Sequence, residues 1–158
     1  MLIGILTVSD LGSRGEREDT AGQALREEIE GMGWVVECYE IVPDEREVIS
    51  SRLCDWADKA KVQLILTTGG TGFSDRDVTP EATLDVLDRH APGISEAIRA
   101  AGLQKTPMAM LSRGVSGLRH KTLIVNLPGS RKGAVESLEA VKEALPHALD
   151  VILGRPGH

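Results

Sequence analysis

The run Leu64-Ile-Leu-Thr-Thr-Gly-Gly-Thr-Gly-Phe-Ser-Asp-Arg-Asp-Val-Thr-Pro-Glu-Ala-Thr83 passes from an apolar segment through a glycine-rich loop into a helix start. Residues 62–68 are mostly apolar and β-branched, which suits a buried strand. Gly69, Gly70 and Gly72 then remove three Cβ atoms from one bend. That admits positive φ and lets a ligand approach the backbone closely. Thr79-Pro-Glu81 reads as the helix start, with Thr79 as N-cap, Pro80 at the first helical position and Glu81 in the first turn. Asp75, Arg76 and Asp77 lie between loop and helix. The stretch reads as a phosphate loop with charged groups beside it, although the same glycines would also make a plain tight connection.

Outward from this stretch, apolar runs and amphipathic segments alternate. Residues 2–8 read as a buried strand that ends in a polar loop, Ser9 to Gly15. Asp19-Thr20 caps a helix whose stripe is Ala21, Ala24, Leu25, Ile29 and Met32. Trp34 to Val42 reads as a second strand, closed by Pro43. Glu45 to Ala60 is the clearest helix, with Val48, Ile49, Leu53, Trp56, Ala57 and Ala60 at three- and four-residue intervals. A third helix is expected from Pro80 to about Arg89, with His90 near its C-terminus, and a fourth from Ile94 to Leu103. Pro107 to Leu111 suits either a strand or a helix. Thr122 to Leu127 is a strand, Pro128-Gly-Ser130 a turn and N-cap, and two helical segments follow. Gly154 to His158 is expected to be a frayed tail. This alternation implies one α/β domain over residues 1–158: a three-layer α/β/α sandwich with a Rossmann-like, mostly parallel sheet.

Composition narrows the function. The chain has 158 residues, 41% of them hydrophobic, enough for a substantial core. Lys and Arg number 18 against 24 Asp and Glu, a formal net charge of −6, whereas a nucleic-acid binder is more often basic. At 3% aromatics there is little for bases to stack on. Cys38 and Cys54 form no Cys-x-x-Cys pair and have no histidine at zinc spacing, so they read as reduced core thiols. No signal peptide or membrane-length apolar run is found, so the expectation is a cytoplasmic protein with neither nucleic-acid nor membrane partners. His90, His120, His147 and His158 form no set.

In an open parallel sheet, ligands bind outside the carboxyl ends of the strands. Four polar clusters fall at such ends: Ser9-Asp10, Asp44, Gly69 to Asp77, and Asn126 to Ser130. The glycine loop is neither a Walker A loop nor a Gly-x-Gly-x-x-Gly fingerprint. It suits an anion held by backbone N–H groups. Pro128-Gly-Ser-Arg-Lys-Gly133 is a second anion candidate or an ordinary capped helix start. Asp44 and Asp77 would repel a polyphosphate unless a cation intervened, and Mg²⁺ bridges carboxylates to phosphates. Each aspartate, Asp10 included, is also an ordinary turn or helix-start residue.

Thr68-Gly-Gly-Thr-Gly72 followed by Arg76-Asp-Val-Thr-Pro-Glu-Ala-Thr83 resembles the molybdopterin-binding family of molybdenum cofactor biosynthesis, in its stand-alone MogA/MoaB type, which also occurs fused in gephyrin. Val8-Ser-Asp10, Val42-Pro-Asp44, Leu111-Ser-Arg113 and Asn126-Leu-Pro-Gly-Ser130 support it in order along nearly the whole chain. The resemblance implies a Mg²⁺-dependent enzyme that transfers AMP from ATP to the terminal phosphate of molybdopterin, releasing pyrophosphate. The adenylylated pterin would pass to a metal-insertion protein downstream. A trimer is implied, with hexamers among MoaB-type members. Asp44 and Asp77 correspond to the family's two important aspartates and would hold Mg²⁺. Gly69, Gly70, Thr71 and Gly72, with Ser9, Asp10, Ser112, Asn126, Pro128, Gly129 and Ser130, would bind nucleotide or pterin. Arg113 is a weaker candidate. A serine is common in the family at Gly102, and Asp75 adds an acid to a loop often neutral or basic. A non-catalytic molybdopterin carrier or sensor is the alternative, although a passive binder needs no metal-holding acids. The metal-insertion reaction ranks last, because this chain lacks the extra domains of proteins that perform it.

Overall fold

The computed structural model describes residues 1–155; most of the expected tail, residues 156–158, lies outside them. Strands β1 (Leu2–Val8), β2 (Val35–Val42), β3 (Leu64–Thr68) and β6 (Thr122–Leu127) pair in parallel, and β5 (Ser116–Arg119) and β4 (Arg89–His90) add an antiparallel edge. The order across the sheet is β2-β1-β3-β6-β5-β4. Side chains alternate between faces along each strand. Ile3, Ile5, Leu64, Leu66, Leu123 and Val125 therefore join one core, with Leu25 and Ile29 of α2 (Thr20–Gly31), Ile98 of α5 (Pro92–Leu103), Leu138 of α6 (Arg131–Val141) and Leu149 of α7 (Leu145–Ile152). Leu6, Val8, Ile65 and Ile124 face the other way, onto Ile49, Leu53 and Trp56 of α3 (Arg46–Asp58) and Ala82 of α4 (Thr79–Leu84). This is the expected three-layer α/β/α sandwich. No helix among the described residues is long and apolar enough to cross a membrane.

Several elements depart from the sequence expectations. Ser9 accepts from the Gly12 N–H at 2.9 Å and caps a single helical turn, α1 (Asp10–Ser13), within the expected loop. Helix α4 stops at Leu84, well short of Arg89, and His90 sits in β4 rather than near the C-terminus of that helix. Thr79 opens α4 without capping it: its hydroxyl donates to the Gly69 carbonyl at 2.9 Å and its N–H to that of Gly70 at 3.1 Å. Pro92 lies inside the start of α5, and Pro107–Leu111 is a 3₁₀ helix. Cys38 and Cys54 are free and half-buried against the second core, and burial is the main cause that pushes both thiols upward, away from nucleophilic thiolate.

The register aligns the strand ends. Val8 pairs with Val42, Thr7 with Thr68, and Thr68 with Leu127, so the four loops that follow leave from one rim. Between β1 and β3 the winding direction reverses, the position at which open α/β sheets leave a crevice.

Candidate active site

The start of the glycine loop is fastened to the end of β6 by one backbone and one side-chain bond. Gly69 donates to the Leu127 carbonyl at 3.2 Å, and the Thr68 hydroxyl donates to that of Pro128 at 2.6 Å. Gly70 has φ +67°, and a Cβ there would lie 2.3 Å from the Thr79 hydroxyl and 3.2 Å from Asp44 Oδ1. Only glycine fits a left-handed position so enclosed. Among the described residues, no acceptor meets the backbone N–H groups of Gly70, Thr71 and Gly72, which leaves three donors for a ligand.

Two cavities flank this loop. A polar one of about 430 Å³ is lined by Ser9, Arg17, Asp19, Asp44, Gly69, Gly70, Asp77, Gly129 and Ser130, among others. A more apolar one of about 340 Å³ is lined by Thr71, Gly72, Ile98, Gly102, Met108, Leu111, Ser112, Pro128 and Ser130, among others. Ser130 borders both, and its hydroxyl accepts from the Gly133 N–H at 3.0 Å, capping α6. Asp10 and Asn126 line neither. Asn126 is buried; its amide donates to the hydroxyls of Thr67 (2.9 Å) and Thr83 (3.0 Å) and accepts from the Val115 N–H (3.1 Å), so its role is to brace β6 and α4.

Asp10 supports Asp44. Each carboxylate accepts the other's backbone N–H, at 2.8 and 2.9 Å, and Arg76 grips Asp10 with two bonds of 3.0 and 2.9 Å. The Arg76 fork, then the Asp44 N–H, hold the Asp10 carboxyl below its ordinary range. Asp44 moves the opposite way: burial raises it, with the charges of Asp10 and Asp77 adding to the effect. Asp77 accepts from the Ser74 N–H at 3.0 Å through Oδ2. The charge of Asp77 thus bears on Asp44, and both line the polar cavity. A wall of this charge accepts a polyphosphate only with a cation, and a pair of carboxylates suits Mg²⁺, which keeps waters and substrate oxygens in its shell. Among the described residues no group of three or more His, Cys, Asp or Glu forms a metal cage. The donor set fits an ion carried in with a nucleotide.

The model of a family described as a probable molybdopterin binding domain matches residues 4–147. The chain belongs to that family. A molybdopterin adenylyltransferase of Helicobacter pylori strain J99 is 44% identical over 154 residues, spanning 96% of this chain and 88% of that protein. One of Escherichia coli K12 is 41% identical over 150 residues, spanning 90% of this chain and 74% of that protein. A crystal structure of the molybdopterin biosynthesis enzyme MoaB from Thermus thermophilus matches with a TM-score of 0.93 at 58% identity, covering 98% of each chain.

In this molybdopterin-binding domain, Gly102 has a local cause. A Cβ there would meet that of Ala109 at 2.7 Å, because the 3₁₀ helix closes directly on α5. Asp75 is exposed and lines neither cavity. Arg113 is a staple. Its guanidinium donates to the carbonyls of Gly72 (2.8 Å) and Asp77 (2.7 Å) and pairs with Glu81 at 2.7 Å, and its N–H donates to the Thr71 carbonyl at 2.9 Å. Arg17 and Asp19 were absent from the sequence-based site. Asp19 does cap α2, accepting from the Gly22 N–H at 2.9 Å, but it also lines the polar cavity and accepts from Thr7 (2.8 Å) and Tyr39. Its capping position was the only sequence signal for it, and that signal concerns the helix.

Proposed function

We propose that this protein is a molybdopterin adenylyltransferase, acting as one domain: it transfers AMP from ATP to the terminal phosphate of molybdopterin. A phosphate oxygen of the pterin forms a bond to the α-phosphorus of ATP, the α–β bridging bond breaks, and its electron pair leaves with pyrophosphate. The observation that carries this reading is the pair of cavities joined at Ser130, one polar with Asp44 and Asp77, the other more apolar with Ile98, Met108 and Leu111. The polar cavity suits the triphosphate and the apolar one the pterin. The enzymes of Helicobacter pylori and Escherichia coli that carry this activity in their names support it.

In this reading the chain supplies position and charge control, which is most of what phosphoryl-type transfer requires. The N–H groups of Gly70, Thr71 and Gly72 receive phosphate oxygens where the two cavities meet. Asp44 and Asp77 would hold Mg²⁺, which when bound neutralises charge on the polyphosphate. Asp10 and Arg76 fix Asp44, and Arg113 fixes the loop that carries Asp77. Ser9, Gly129 and Ser130 close the polar cavity; Ser112 and Pro128 border the other. Assembly as a trimer or hexamer and delivery to a metal-insertion protein belong to the same proposal; exposed Phe73, Met108 and Met110 offer apolar surface for a partner.

The test is direct. Purified protein is incubated with molybdopterin, ATP and Mg²⁺, and adenylylated pterin and pyrophosphate are quantified. Equimolar appearance of both is expected. Pterin binding without ATP consumption would instead identify a carrier.

A further inference from the structure

The polar cavity has an uneven distribution of charge. Glu18, Asp19, Asp44 and Asp77 line it with acid, and among the described residues the one cation on its wall is Arg17. Arg17 sits in the exposed connection between α1 and α2. Other arginines around the rim are engaged: Arg14 pairs with Glu16 at 3.0 Å, Arg76 with Asp10 at 2.9 Å, Arg113 with Glu81 at 2.7 Å, and Arg46 with Asp85 at 2.7 Å. Arg17 makes no ion pair or side-chain hydrogen bond among the described residues. Arg131 and Lys132, the cations that the sequence placed beside the α6 start, line neither cavity.

An arginine left unpaired beside four carboxylates gains its partner when an anion enters. The acceptor phosphate arrives from the apolar cavity, so in-line displacement directs the leaving group away from it, into the polar cavity that Arg17 borders. Resting on the adenylyl-transfer reading, we propose that Arg17 binds the terminal phosphates of the nucleotide and holds the departing pyrophosphate in the cavity that it lines together with Asp44 and Asp77. The planar guanidinium can take two phosphate oxygens at once, a geometry that lysine lacks. The charge that develops on the leaving group would thereby meet a cation supplied by the protein itself.

Arg17→Ala and Arg17→Lys test this, with isothermal titration of inorganic pyrophosphate, ATP and AMP in Mg²⁺ buffer alongside steady-state kinetics. In Arg17→Ala, pyrophosphate and ATP should bind roughly tenfold more weakly, one charge-assisted contact at an exposed site. AMP affinity and KM for molybdopterin should stay within twofold of wild type, and Arg17→Lys should recover part of the loss. The thermal midpoint should not move, since among the described residues the side chain makes no hydrogen bond or ion pair. Unchanged pyrophosphate and ATP binding in Arg17→Ala overturns the assignment, and a turning-over wild type then leaves the adenylyl-transfer reading standing. A uniform loss across pyrophosphate, AMP and molybdopterin also overturns it, as a structural effect. Wild-type protein that binds neither ATP nor pyrophosphate overturns both.

Discussion

Replacing Arg113 should loosen the reactive loop and the fold together, by amounts that its partners set. Arg113→Ala removes the bond to the Gly72 carbonyl (2.8 Å), the bond to the Asp77 carbonyl (2.7 Å) and the fork on Glu81 (2.7 and 3.2 Å), while the backbone bond to Thr71 survives. Both side chains of the ion pair are 35% exposed, so water already screens it and it contributes about 0.5–1 kcal/mol. The two carbonyl bonds contribute about 1 kcal/mol each. The expected loss is therefore about 2–3 kcal/mol, a fall of roughly 5–10 °C in Tm for a chain of this size. Glu81→Gln keeps an acceptor and should cost only the ion-pair share, about 0.5–1 kcal/mol. Arg113→Lys keeps a charge for Glu81 without the fork and should recover less than half of the loss. Because the same guanidinium anchors the loop on either side of the Asp77 carboxylate, kcat for adenylyl transfer should fall roughly 10–100-fold in Arg113→Ala. Urea denaturation with linear extrapolation reads the first effect, and initial rates of pyrophosphate release at saturating substrates read the second. A stability loss below about 0.5 kcal/mol, or a destabilised variant with wild-type kcat, refutes the staple.

Three further substitutions probe the site. Burial holds the Asp44 carboxyl above its ordinary 3.8, so the folded state binds that proton more tightly than the unfolded chain. Its stabilising share is present in full below pH 3.8 and is lost as pH rises through the raised value. Asp44→Asn should therefore abolish turnover yet raise Tm at pH 7, the gain shrinking towards pH 3.8; a Tm below wild type at pH 7 contradicts this. Gly70→Ala forces an L residue to φ +67° and a Cβ to 2.3 Å from the buried Thr79 hydroxyl. The strain and the lost bond to the Gly69 carbonyl should cost about 3 kcal/mol in chemical denaturation, and a loss under about 1 kcal/mol would show that the loop re-forms freely. Gly102→Ser should displace the 3₁₀ helix, which contains no buried residue and moves at a cost of about 1 kcal/mol. The apolar cavity changes shape, so KM for molybdopterin should shift several-fold while that for ATP does not; equal shifts in both argue against separate subsites.

The sequence by itself determined the elements whose cause is local. The parallel strands β1, β3 and β6 were legible because each is a short, mostly apolar run buried on both faces. Helices α2 and α3 were legible because their inward stripes repeat at helical spacing. Where Asp44, Asp77 and the glycine loop would meet followed from the rule that a parallel sheet collects its strand ends on one rim. What only the tertiary structure decided has non-local causes. Strands β4 and β5 carry no periodic pattern in their two and four residues, and form because the free edge of β6 supplies hydrogen-bond partners to β5, which in turn pairs with β4. Thr79 looked like a cap, and its hydroxyl instead serves the Gly69 carbonyl folded against it. Asn126 sits at a strand end as a ligand-binding residue would, yet the pleat turns its amide inward onto Thr67 and Thr83. Arg113, a weaker ligand candidate in the sequence, spends its donors on the loop, whereas Arg17, which the sequence did not single out, lines the cavity without a partner among the described residues. Local pattern reports which atoms a residue must bury. Whether its polar atoms remain for a ligand depends on which distant backbone groups the fold brings within bonding distance.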